Sequence, residues 1–513
     1  MTPEEMRAAD EAAISSGTEA SVLMERAGRA VARAVVARAG GRYGRRVAVV
    51  CGKGSNGGDG FVAARALRRW GLAVGCWGVE GAAESRGAAG EQLERMKDAG
   101  VPLRAFAADG LEDADVIVDA LFGTGFHGRA EGEAAVAIDA INAASGAVVS
   151  IDVPSGVNGA TGAWSGPAVA ADTTVALGTE KIGTAVAPGA ARAGRVEVVD
   201  IGIAVEAGDA FLVEPRDVAA TLPRRAPDAH KRSGGSVAVL GGCEEITGAA
   251  LLTARGAGRM GAGYVTVGGT RAVSRALATT CPEVLSQVVT PGEVLGPEAL
   301  AEFGLVLERA DALAVGPGLG RGDPQSDLLD AILSEVEIPV IIDADGLNVL
   351  TGRTELLARR SAVTVLTPHP AELARLLDSS VGRIQCDRLG AARSAATRFR
   401  SVVLLKGWRT IVAEPSRRAV VIPTGGPELA TAGTGDVLTG AVAALAASGR
   451  DAFEAAWAAS YVHGLAGAAA AHRRGPGGVL AWDVAEALPE AAQLLQGGPR
   501  PGVSGPSLPG RLT

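Results

Sequence analysis

Short apolar runs alternate with longer stretches of helical spacing along this chain. Residues 4–39 place alanine, arginine and leucine at helical intervals and predict helix. Arg46–Cys51 is a short apolar run that ends in a glycine loop, and helical spacing resumes over 60–72. The order repeats: residues 116–118 precede Gly123-Thr124-Gly125, and 147–153 precede Pro154-Ser155-Gly156. Short buried strands alternating with helices predict a parallel sheet covered on both faces. Ligands on such sheets bind at the carboxyl ends of the strands, where all three glycine loops fall.

A boundary follows Ile201-Gly202-Ile203. Residues 213–227, with Pro215, Pro223, Pro227 and several charges, read as a linker. A second series opens with Val237-Ala238-Val239-Leu240 and continues at 312–315, 340–342, 363–366 and 402–405. Each run leads into polar or glycine-rich residues. The last residues, 497–513, hold four prolines and five glycines and cannot bury enough apolar surface to order themselves. The expected partition is a first domain over 1–212, a linker over 213–227, a second domain over 228–494 and a disordered tail over 495–513.

Composition narrows the classes. Of 513 residues, 47% are hydrophobic and 21% charged, so two sizeable cores are within reach. A net charge of −8 argues against a phosphate-backbone partner. The five cysteines are scattered, without a C-x-x-C pair, which fits a reducing compartment rather than a disulfide framework or zinc site. Met1-Thr2-Pro3-Glu4-Glu5 opens no signal pattern. The uncharged stretch 455–471 is too short for a membrane span of about 20 residues and reads as a buried helix. Together these features predict a cytoplasmic protein with no membrane and no nucleic-acid partner.

In the first half, Gly52-Lys53-Gly54-Ser55-Asn56-Gly57-Gly58-Asp59-Gly60 follows a strand and opens a helix. Backbone N–H groups at such a junction suit an anion. A tight turn is the competing reading. Asp119 ends the next strand, and Asp152 and Ser155 punctuate the third in Asp152-Val153-Pro154-Ser155-Gly156. Converging with Asn56, they make an oxygen-rich site for a hard cation, with one carboxylate left for proton transfer. The competing reading is that these acids only cap helices and turns.

In order and spacing, Ser-Asn-Gly-Gly-Asp-Gly, Asp-Ala-Leu-Phe-Gly-Thr-Gly and Asp-Val-Pro-Ser-Gly resemble the YjeF N-terminal domain family, the NAD(P)H-hydrate epimerases. The resemblance spans about residues 1–210. It implies a Rossmann-like αβα domain that binds potassium through Asn56, Asp119 and Ser155. It also implies hydrate binding by Ser55, Asn56, Gly57, Gly58 and Asp59, by Gly123, Thr124, Gly125, Phe126, His127, Gly128 and Arg129, and by Asp152 as acid/base.

In the second half, Ala432-Gly433-Thr434-Gly435-Asp436 precedes a long alanine-rich segment. Its N–H groups can form an anion hole, with Asp436 beside the anion as the base for a hydroxyl. A simple helix-terminal charge is the competing reading. Gly316-Pro317-Gly318-Leu319-Gly320, Asp343-Ala344-Asp345-Gly346, Thr367-Pro368-His369-Pro370-Ala371-Glu372 and Lys406-Gly407-Trp408-Arg409-Thr410 each follow a strand. A lone His is more often structural and a lone Lys more often solvated, yet both end strands here.

These clusters, over about 228–492, resemble the YjeF C-terminal domain family, the ribokinase-like NAD(P)H-hydrate dehydratases. The resemblance implies a second αβα domain, with nucleotide contacts from Lys406, Gly407, Trp408, Arg409, Thr410 and Gly435. Hydrate contacts fall to Ala249, Gly316, His369 and Asp436. Magnesium, with ADP (giving AMP and phosphate) or ATP as co-substrate, is implied too. The expected function is a fused epimerase–dehydratase that acts on hydrated NADH and NADPH, working as a homo-oligomer. Two alternatives stand: a small-molecule kinase of the ribokinase superfamily with an N-terminal nucleotide-binding module, and a non-catalytic nucleotide or RNA binder in the first half.

Overall fold

The structure, a computed structural model of the chain, describes residues 1–205 and 208–497. It divides into two units, one built from Met1–Ala210 with Gln385–Leu389, the other from Phe211–Ile384 and the described residues from Gly390 on.

In the first unit, β1 (Arg46–Cys51) is buried at every position but its first, and β4 (Val116–Ala120) is buried throughout. Alternate residues of these strands enter two different cores. Val47, Val49, Val116 and Val118 join one with Ala27, Val31 and Phe61. Ala48, Val50 and Ile117 join another with Ile138 and Ile141. A period of two feeding two cores is what a sheet covered on both faces requires. The other strands are β2 (Ala73–Gly78), β3 (Leu103–Ala105), β5 (Ala147–Ile151), β6 (Thr173–Leu177) and β7 (Arg195–Val199). All pairings are parallel, in the order β3-β2-β1-β4-β5-β6-β7. The order reverses between β1 and β4, which opens a crevice at their carboxyl ends.

The second unit carries β8 (Ala210–Leu212), β9 (Ser236–Leu240), β10 (Tyr264–Gly269), β11 (Leu285–Val288), β12 (Ala312–Val315), β13 (Val340–Ile342), β14 (Thr364–Leu366), β15 (Val402–Leu405), β16 (Ile411–Ala413) and β17 (Ala419–Val421). Their order is β11-β10-β9-β12-β13-β14-β15-β16-β17-β8. Pairing is parallel from β11 to β15 and antiparallel from β15 through β17. The reversal falls between β9 and β12, above which the helices Gly248–Arg259 and Thr434–Ala447 pack. Both units are thus helix–sheet–helix α/β folds.

Three local expectations change. The helix after β1 starts at Ser55, five residues before Gly60, so most of the glycine loop is helix. Its glycines serve close packing: a Cβ at Gly57 would collide with the Gly52 carbonyl oxygen. Within the expected linker, Pro215–Thr221 is a helix, and Val213, Val218 and Leu222 lie in the core of the second unit. Propensity for a turn at Pro215 is equally propensity for the first position of a helix. The stretch 455–471 lies inside the buried helix Ala452–Arg474, as its composition indicated. Among the described residues no helix is long and apolar enough to cross a membrane. The expected tail lies outside the described residues from 498 on.

Candidate active sites

The first site sits at the reversal between β1 and β4. Asp119, wholly buried near the end of β4, accepts from Ser150 Oγ at 2.8 Å, Ser155 N at 2.9 Å and Ser155 Oγ at 2.5 Å. Burial raises its pKa, and the hydrogen bonds from Ser155 and Ser150 oppose that rise. Asn56 Nδ2 donates to the Phe122 carbonyl at 2.8 Å, and Phe122 N donates to Ser155 Oγ at 2.8 Å. The three positions expected to hold a cation therefore belong to one hydrogen-bonded knot of carboxylate, amide, hydroxyl and carbonyl oxygens.

Asp152 ends β5 with φ 67°, in the left-handed region. Aspartate tolerates this conformation better than most side chains, at a cost of about 1–3 kcal/mol. The turn aims its carboxylate at Lys181, whose Nζ lies 2.5 Å from Asp152 Oδ1 and 2.5 Å from the Leu177 carbonyl. Lys181 is 1% exposed. It follows β6 by four residues, and its spacing from Asp152 gives no local sign of the pairing.

A pocket of about 890 Å³ opens beside this group. Ser55, Asn56, Asp59, Gly123, Thr124, Gly125, Phe126, His127, Asp152 and Lys181 all line it. Asp119 and Ser155 are not in its lining. Gly57, Gly58, Gly128 and Arg129 are not in its wall; the Arg129 stem packs over Gly166. Lys53, from the glycine loop, also lines the pocket; Arg86 and Asp10, the latter from the helix Pro3–Ser15, carried no sequence signal.

The second site gathers around Asp343, at the end of β13. Lys406 Nζ lies 2.6 Å from Asp343 Oδ1, and Thr439 Oγ1 donates to Asp343 Oδ2 at 2.7 Å. Burial alone would lower the Lys406 pKa, but the Asp343 and Glu372 carboxylates outweigh it and raise the value. Gly435 sits over this pair: a Cβ there would stand 3.4 Å from Lys406 Nζ. Asp436, on the first turn of Thr434–Ala447, has its pKa pushed up to about 7. Desolvation is the main cause, then the Asp343 and Asp345 charges, with Lys406 opposing.

His369 caps the helix Pro370–Leu376, its Nδ1 accepting from Ala371 N at 3.1 Å and Glu372 N at 3.2 Å. Its Nε2 lies 3.3 Å from Glu372 Oε1, and desolvation followed by Lys406 lowers its pKa. Glu372 in turn lies 4.0 Å from Lys406. Gly316 has φ 115°, and a Cβ there would strike the Asp343 carbonyl oxygen, so only glycine fits. Ala249 lies across from the same loop, 3.1 Å from where Gly318 would carry a Cβ. Trp408 is 43% exposed, and Thr410 Oγ1 closes the turn onto the Gly407 carbonyl at 2.9 Å. His463 was not expected: buried, with its pKa driven down to about 4 by desolvation, it donates from Nε2 to the Thr434 carbonyl at 3.0 Å.

Two α/β units, each with a polar cluster at the carboxyl ends of its parallel strands, define a two-domain enzyme architecture. The sequence family described as NAD(P)H-hydrate dehydratase matches residues 237–490, and that described as YjeF-related protein N-terminus matches 20–183. The bifunctional NAD(P)H-hydrate repair enzyme Nnr of Moorella thermoacetica is 39% identical, covering 93% of this chain and 93% of its own. That of Thermofilum pendens is 38% identical, covering 95% and 94%. Among solved structures, the ADP/ATP-dependent NAD(P)H-hydrate dehydratase from Bacillus subtilis, co-crystallized with ATP/Mg2+, is 29% identical with a TM-score of 0.49, covering 56% of this chain and 98% of that one. The chain belongs to the family of bifunctional NAD(P)H-hydrate repair enzymes.

Proposed function

We propose that the first unit interconverts the R and S forms of hydrated NADH and NADPH, and that the second dehydrates the S form at the expense of ADP or ATP. The observation that carries this reading is Asp436. It is a carboxylate with a pKa near 7, on the first turn of a helix whose leading residues are Gly433-Thr434-Gly435. Such a group can take a proton from a hydroxyl beside an anion hole.

The chemistry needs that arrangement. Hydroxide leaves a hydrated nicotinamide ring poorly. With Asp436 taking its proton, the hydroxyl oxygen attacks the terminal phosphoryl group of the nucleotide. Phosphate then departs with the carbon–oxygen bond's electrons, the adjacent ring carbon gives up a proton, and the double bond returns. Lys406, Gly407, Trp408, Arg409, Thr410 and Gly435 would hold the nucleotide, and Ala249, Gly316, His369 and Asp436 the hydrate. Lys406 acts from within its pair with Asp343, so the phosphates meet a fixed charge rather than a mobile one.

Magnesium would arrive with the nucleotide phosphates. Among the described residues no three His, Cys, Asp or Glu side chains group as a metal cage. A magnesium ion held by phosphates, waters and one or two carboxylates needs none. Asp436 is the carboxylate that would be near it, and it would neutralise phosphate charge. In the first unit the oxygen set of Asn56, Asp119 and Ser155 fits potassium, a hard cation held by oxygen donors. A fixed cation there would offset the buried Asp119 charge and pin the loop after β4. Around it, Ser55–Asp59, Gly123–Arg129 and Asp152 would bind the hydrate. The protein is expected to be a cytoplasmic homo-oligomer.

The test supplies the purified chain with S hydrate, donor and Mg²⁺. Return of the reduced-nicotinamide absorbance with one phosphate per turnover supports the reading. A stable phosphorylated product without that absorbance overturns it in favour of a small-molecule kinase.

A further inference from the structure

Asp59 lies on the second turn of the helix Ser55–Arg69 and is 6% exposed, yet it lines the first pocket. Among the described residues its carboxyl takes part in no hydrogen bond or ion pair. Every other acid buried at this site is held: Asp119 by Ser150 and Ser155, Asp152 by Lys181. A nearly buried carboxyl that meets no protein partner and opens onto a pocket is placed to meet what the pocket holds. Asp10, Asp152 and Lys181 line the same pocket and are the charged groups that act on it. Burial first, then Asp152 and Asp10, hold the Asp59 pKa well above the carboxylate range, with Lys181 pulling the other way.

We propose that Asp59 is the proton donor of the first site, working in the same pocket as Asp152, the base. This deepens, and rests on, the epimerase reading above. The substrate's own chemistry says what a donor is needed for. The double bond of a dihydronicotinamide next to the ring nitrogen is an enamine. Water added to it leaves the hydroxyl on the carbon bonded to nitrogen. Inverting that carbon requires one bond to break and reform on the opposite face.

Asp59 gives its proton to the hydroxyl, the carbon–oxygen bond breaks, and water leaves. The nitrogen lone pair forms the carbon–nitrogen double bond of an iminium. A water adds to the other face, the π pair returns to nitrogen, and Asp152 takes the proton released. The substrate side gains one proton and loses one. Asp59 ends as carboxylate and Asp152 as acid, the state from which the reverse epimerisation starts, and exchange with solvent through the open pocket resets it. A carboxyl whose ionisation burial opposes, in one pocket with an aspartate paired to a lysine, is the arrangement that separates acid from base.

The experiment uses the full chain with mixed hydrates, where the R form is repaired only after inversion. Asp59→Asn keeps the size and polarity of the side chain. It is expected to slow the R phase by about 10²–10⁴-fold through kcat, with KM for the R form little changed. The S phase, carried by the second unit, reports that the variant is folded. In parallel, the wild-type chain is run in water enriched in heavy oxygen, where each inversion should place one label on the ring carbon above the uncatalysed exchange. An R phase at the wild-type rate in Asp59→Asn, a loss confined to KM, or inversion without label overturns the proposal. A wild-type chain that does not accelerate inversion at all instead overturns the epimerase reading beneath it. If Asp59→Asn does not fold, the label result alone decides whether the carbon–oxygen bond breaks, and a wild-type R phase that fails to decline as Asp59 ionises at high pH overturns its part as donor.

Discussion

Lys406 and Asp343 are each other's partners, Nζ to Oδ1 at 2.6 Å, with the Asp343 side chain 1% exposed and that of Lys406 20%. Thr439 Oγ1 occupies the other carboxylate oxygen at 2.7 Å. Removing Asp343 takes away the carboxylate closest to the Lys406 ammonium, with Glu372 farther off at 4.0 Å. Asp343→Ala is expected to cost about 3–5 kcal/mol of stability. Thr439→Val, which removes only a hydrogen bond to that charge, should cost about 1.5–3 kcal/mol. Denaturant midpoints of the two variants against the wild-type chain check the order.

The two proposed bases should separate genetically. Asp436→Ala is expected to abolish repair of both hydrates, because the first unit alone makes no reduced cofactor. Asp152→Ala should leave S repair intact and the R form unrepaired. Chiral separation of the residual hydrate after exhaustive incubation reads the difference. Residual S hydrate with Asp152→Ala would contradict the division of labour.

A base must be ionised to work, and Asp436 titrates near pH 7. The dehydratase kcat/KM should rise about tenfold per pH unit below that value and level off above it. Asp345 contributes to the raised pKa as a like charge. Asp345→Asn should therefore move the rising limb to lower pH. A limb that stays in place, or moves up, assigns it to another group.

The cation knot makes a selective prediction. Replacing potassium with lithium should slow inversion of the R hydrate and leave S repair untouched. Asp119→Asn should weaken the cation response by at least about tenfold, as seen in the potassium concentration needed for half-maximal inversion.

Much of this was legible in the residues because parallel strands place chemistry where apolar runs stop. Asp119, Asp152, Gly316, His369 and Lys406 were each found by that rule, and the structure puts each at or just past a strand end. What stayed hidden were partners set by tertiary packing. Lys181 is joined to Asp152 across 29 positions and His463 to Thr434 across 29, and neither spacing has a local signature. The helix Pro215–Thr221 was missed because proline marks a turn and a first helical position alike. The glycines after β1 read as a loop that opens a helix, with a tight turn as the competing reading, but are mostly helix, because close packing and positive φ make the same demand on sequence.

The central claim is one chain with two coupled activities. It is tested most directly by the time course of reduced-nicotinamide absorbance from an equal mixture of R and S hydrates with ADP, Mg²⁺ and K⁺. The account predicts full recovery in two phases, the second set by inversion of the R form and lost in Asp152→Ala. Recovery that stops once the S form is consumed, or recovery whose second phase survives Asp152→Ala, would contradict it.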